Sequence, residues 1–178
     1  MPKSSEYEKS RDGNGTTFKV TPAQAPRFWF LVIFGAVLIL GGLSAGGSGI
    51  AFILMGAFSL WYGWSRDQRP KPHKQVSTFR VTPEAIEVNG RSIRKGDIHR
   101  LILRNGITDK ELGVEMYNVS AAQATGMAQR AKLAQLCNAL TLEGGGKATF
   151  LAGGMDETTA YGLLRDVSEV LGFNEAKY

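Results

Sequence analysis

The chain of 178 residues contains one cysteine, Cys137, and only two histidines, His73 and His99. A single cysteine excludes an intramolecular disulfide, and three such ligands are too few for an ordinary zinc site without several carboxylates. Catalytic signatures are absent as well. "GGGKA" at 144–148 has Thr141 where a phosphate-binding loop needs its first glycine, and Ala148 where it needs Ser or Thr. No GxSxG, HExxH or kinase pattern occurs. The expectation is a protein that is not an enzyme and holds no cofactor or metal. The absence with the widest consequence is one of charge. From Phe28 to Trp64, 37 residues pass without an Asp, Glu, Lys, Arg or His.

As one helix this run would be about 55 Å long, against a bilayer hydrocarbon core of about 30 Å. It is therefore read as a transmembrane helical hairpin over 27–65, with crossings at about 28–43 and 48–64. The glycine- and serine-rich "GGLSAGGSG" at 41–49 turns the chain round between them. Residues 1–27 carry a net +2 and residues 65–74 a net +3, while the turn is uncharged. The positive-inside rule then places both termini in the cytoplasm and makes the bilayer a partner. Trp29, Trp61, Tyr62 and Trp64 are the expected membrane-interface anchors. Gly35, Gly42, Gly49, Gly56 and Gly63 recur every seven residues within each helix, a small-residue groove for packing the helices on each other or on a partner. The remaining 104 residues, 75–178, hold 12 basic and 12 acidic side chains, so the net charge of +5 does not point to nucleic acid.

Outside the apolar run, the polar residues 1–26 are read as a cytoplasmic mobile tail, and 66–75 as a basic linker in which His73 is solvated. Short strands at 8–12-residue spacing follow over 76–178. They are "VSTFRVT", "AIEV" before the Asn89-Gly90 turn, "RSIR", "IHRLILRNG", "GVEMYNV" (113–119), "NALTLE" (138–143) and "KATFLAG" (147–153). In "DETTAYGLLRDVSEVLGF", Ala160, Leu163, Leu164, Val167 and Leu171 recur at helical spacing, with acids at the start and Gly172 as a stop. Residues 120–137 form an Ala-rich insert, part loop and part helix. Cys137 reads as a small buried hydrophobe.

Strands closed by one amphipathic helix follow the order of a pleckstrin-homology-like (PH-like) barrel. "FRVTPEAIEVNGRSIRKGDIHRLILRNG" resembles the opening, and "FLAGGMDETTAYGLLRDVSEVLG" the ending, of bacterial membrane-anchored PH-like domain proteins. The resemblance implies an α+β, mostly β fold: a transmembrane hairpin, then an antiparallel β-barrel or sandwich closed by a C-terminal helix. It also implies a multi-pass protein of the bacterial inner (cytoplasmic) membrane. The function expected is a non-enzymatic, membrane-tethered interaction or scaffold protein, an oligomerising subunit of a larger inner-membrane assembly, with a protein partner or further copies of itself. The alternative is a sensor of anionic lipid or a small ligand, using Arg91, Arg94, Lys95, Arg100 and Arg104 as contacts.

Overall fold

A computed structural model describes residues 4–25, 29–67, 69–107 and 131–173. The chain divides into two compact units, Ala25–Gln68 and a second made of Met1–Gln24 with Arg69–Tyr178.

The first unit is a helical hairpin. α1 (Trp29–Ser44) and α2 (Ile50–Ser65) are joined by a 3-10 turn over Gly46–Gly49. The reversal thus falls inside "GGLSAGGSG", as its composition indicates. The membrane crossings do not follow from it. Each helix has 16 residues, about 24 Å at ~1.5 Å per residue, short of the roughly 30 Å hydrocarbon core. No helix among the described residues is long and apolar enough to cross a membrane. The expectations of a transmembrane hairpin and of a multi-pass inner-membrane location are corrected accordingly. The turn uses up residues that a second crossing would have needed.

In the second unit, β1 (Glu6–Asp12), β2 (Gly15–Thr21), β3 (Ser77–Val81), β4 (Ala85–Val88) and β5 (Arg91–Arg94) form one antiparallel sheet in that order. The segment 1–26, expected as a mobile tail, therefore supplies two strands. Phe18 faces Phe79 across the β2–β3 pair with stacked rings 5.5 Å apart. Asn89 and Gly90 both take the positive φ (50° and 75°) of a tight hairpin turn between β4 and β5. The 3-10 turn Lys95–Asp97 then carries the chain to a second antiparallel sheet of β6 (Ile98–Asn105), β7 (Asn138–Gly144) and β8 (Lys147–Met155). α3 covers 131–135 among the described residues. α4 (Glu157–Leu171) starts on the Asp156 cap and stops at Gly172 in the left-handed region. The expected strand at 113–119 and most of the 120–137 insert lie outside the described residues.

No ladder among the described residues joins the two sheets, so the closed PH-like barrel is also corrected: these are two open sheets. They share a core with α4. Phe18, Val20, Phe79, Val81 and Ile86 from the first sheet meet Leu101, Leu140, Leu142 and Leu151 from the second and Leu163, Val167 and Leu171 from α4. In β6, alternation alone would set Ile98 opposite Leu101 and Leu103. A register shift between Ile98 and Arg100 brings all three into the same core.

Candidate functional site

The hairpin is built on glycine. A side chain at Gly35 would start 2.6 Å from the Gly56 carbonyl oxygen, and one at Gly56 would start 2.6 Å from that of Gly35. Gly42 and Gly49 face each other in the same way, and Gly63 is buried. The Ser59 hydroxyl donates across the hairpin to the Leu31 carbonyl at 3.0 Å. The glycine series therefore packs α1 on α2 rather than forming an outward groove. The aromatics expected as interface anchors make ring contacts with one another and with Phe58. Trp29 meets Trp64 edge-on at 6.3 Å, while Phe58 contacts both Trp61 and Tyr62 at 6.0 Å. The Arg66 guanidinium lies 5.5 Å from the centre of the Tyr62 ring.

Ile39, Ile53 and Leu60 pack against the inner glycines, while most of the other large side chains point outward. Fourteen of them between Trp29 and Trp64 are 46–70% exposed, from Phe34 at the low end to Phe30 at the high end. This is an uncharged apolar surface that runs along both helices.

The basic run does not gather into one patch. Arg91 and Arg94 are exposed on β5, three residues apart and so on opposite faces of the strand. The Lys95 ammonium lies 5.4 Å from the centre of the Phe173 ring. Arg100 and Arg104 share one carboxylate, each donating at 2.9 Å to an oxygen of Glu143 on the neighbouring strand.

Three further polar clusters have little local signature in the chain. Ser5 donates its backbone N–H (3.2 Å) and its hydroxyl (2.6 Å) to Asp156, whose other oxygen accepts from the Thr159 N–H at 2.9 Å. Burial raises the Asp156 carboxyl, but these donors outweigh it and leave the group below its ordinary value. Asp166, buried on α4, accepts from Lys9 at 2.8 Å and from the Tyr7 hydroxyl at 3.0 Å. Burial again raises it, and the two donors bring it below the ordinary value. Burial, and then Asp166, push the Tyr7 hydroxyl upward, which keeps it a donor.

The third cluster ties the residues that precede the hairpin to those that follow it. Ala23 donates its N–H to the Gly154 carbonyl at 2.8 Å. The Gly154 N–H donates to His73 Nδ1 at 3.1 Å, and Arg69 donates to the Ala23 carbonyl at 2.7 Å. His73, expected in solvent, is only 5% exposed and stands edge-on to Phe150 at 5.6 Å. Burial, then the Arg69 cation, lower its pKa and keep the ring neutral. Pro70 and Pro72 around it gave the segment the composition of a solvated linker, which is why the sequence concealed it.

Among the described residues, no group of three or more His, Cys, Asp and Glu side chains is arranged to hold a metal ion. No family model matches the chain, and neither the curated proteins nor the solved structures contain a match to it. The resemblance to membrane-anchored PH-like proteins is thereby corrected. The quoted segments are strand, turn and helix-cap chemistry that many folds share, and among the described residues no helix is long and apolar enough to supply the transmembrane hairpin that completed the likeness.

Proposed function

We propose that this chain is a non-enzymatic assembly protein that associates with further copies of itself through the outer faces of its helical hairpin. The observation that carries this reading is the exposed apolar surface of α1 and α2. A helix that is apolar all round is normally covered on every side, whereas here only the glycine-lined side is covered. Fourteen large apolar side chains about half exposed amount to on the order of 1,000 Å². The largest apolar patch of an ordinary monomer is about 300–600 Å², and a stable interface covers ~800 Å² on each partner. A second copy presents the same uncharged surface, so nothing in the pairing is repelled or left as an unpaired charge. A ligand on the basic run has less behind it, because Arg100 and Arg104 already engage Glu143.

Native mass measurement of the full-length chain over a range of concentrations tests the proposal. A dimer or larger species is expected, and the pair Val37→Lys and Met55→Lys, both outward, should convert it to single chains. A single chain in the wild type, bare or carrying only lipid or detergent, would overturn the reading.

A further inference from the structure

The clasp of Ala23, Arg69, His73 and Gly154 brackets the hairpin in sequence. Ala23 lies just before Ala25–Gln68 and Arg69 immediately after it. Its central bond is unusual in chemistry. A buried backbone N–H, that of Gly154, has a neutral imidazole nitrogen as its acceptor. The slot for the ring is made by glycines. A side chain at Gly106 would collide with His73 Nε2, and one at Gly153 would start 2.9 Å from Nδ1. Gly154 has φ +76° and no room for a Cβ against the His73 carbonyl and Pro22, so only glycine supports this geometry. Among the described residues, Phe150, Gly153, Gly154 and Gly106 lie against the ring, and none of these four ionises. The charge acting on it is that of Arg69, of the same sign as a protonated imidazole.

An imidazolium has no lone pair, since both nitrogens are donors. Protonation would thus turn Nδ1 from the acceptor for the Gly154 N–H into a second donor facing it, in a site that also disfavours charge. We propose that His73 makes the clasp pH-responsive, holding Gly154 while neutral and releasing it when protonated, so that residues 69–74 come away from β8 under mildly acidic conditions. The sign follows from the chemistry. The closed clasp is complete above the unfolded-histidine value of 6.5 and weakens as the pH falls below it.

The test is amide exchange and ¹⁵N-imidazole spectroscopy on the full-length chain carrying His99→Asn, which leaves His73 as the sole histidine. At pH 7.5 the His73 ring is expected as the Nε2–H tautomer. Between pH 7.5 and 5 the protection factor of the Gly154 amide should fall at least tenfold, while that of the Leu140 amide in the core strand β7 stays constant. His73→Asn, whose Oδ1 replaces Nδ1 as an acceptor that cannot be protonated, should keep Gly154 protected throughout. Unchanged Gly154 protection in the parent chain would overturn the proposal. So would an Nδ1–H tautomer, an equal loss in His73→Asn, or a loss shared by Leu140. If His73→Asn does not fold, the tautomer and the contrast between Gly154 and Leu140 in the parent still decide it.

Discussion

At the scale of single residues, two aspartates on one helix do different work. Asp156 caps α4 through Thr159 and also receives both donors of Ser5, so it joins a helix start to the residue preceding β1. Asp156→Ala removes the cap and leaves the Ser5 N–H without its acceptor. A loss of about 1–2 kcal/mol is expected in urea unfolding. Asp166 instead gathers Lys9 and Tyr7 from the opposite end of the chain. Its carboxyl lies below the ordinary 3.8, so its contribution is present above that pH and is lost as the pH falls through the depressed value. Asp166→Asn keeps an oxygen acceptor but does not titrate. The urea midpoint of this variant should therefore fall less steeply than that of the parent between pH 4 and 2.5. Gly56 shows a third kind of dependence, on space alone. Gly56→Leu places carbon against the Gly35 carbonyl and should prise the hairpin apart, at about 1–3 kcal/mol or more. The near-UV dichroism of the Trp29–Trp64 pair should weaken, whereas Gly41→Leu, with nothing within 4 Å of its added carbon, should leave that signal intact.

At the scale of elements, local rules were readable where one face of a strand or helix meets a core. Period-two burial in "STFRV" and "AIEV", the Asn89-Gly90 turn, and the Asp156-to-Gly172 helix all appear where their residues place them. What could not be read is long-range. β1 has a mostly exposed, charged sequence, EYEKSRD, whose order comes from pairing with β2 and from Asp156 and Asp166 some 150 positions away. β2 hides its pattern in "GTTFKVT", where the buried face is Thr16, Phe18 and Val20 and only the last two are apolar. The bulge that brings Ile98 beside Leu101 has no local signature at all. Polar composition was therefore a poor guide to disorder here, because side-chain hydrogen bonds from a distant helix supply the ordering. Removing residues 1–24 would delete Phe18 and Val20, both fully buried. Truncation of large core side chains costs about 3–5 kcal/mol apiece. The truncated chain should be largely unfolded by circular dichroism, whereas loss of a mobile tail would leave the melting temperature unmoved.

At the scale of the whole molecule, the proposed assembly would draw on a surface separate from the one that folds the sheets. Every residue of the buried core cluster lies outside Ala25–Gln68, on the two sheets and α4. The hairpin has no such core of its own, since its buried positions are glycines and most of its large side chains are exposed. The residues flanking the hairpin are already joined, with Arg69 bonded to the Ala23 carbonyl and Ala23 bonded to Gly154. A linker of about six glycine and serine residues, ~20 Å when extended, is thus long enough to replace Ala25–Gln68 while keeping the clasp. The shortened chain is expected to retain a cooperative melt within a few degrees of the parent, because no core contact is removed. It should also have the mass of a single chain at concentrations where the full-length protein associates, because the apolar surface of α1 and α2 has gone. Failure to fold would mean that the sheets depend on the hairpin after all. Folding with undiminished association would move the assembly surface from the helices to the sheets.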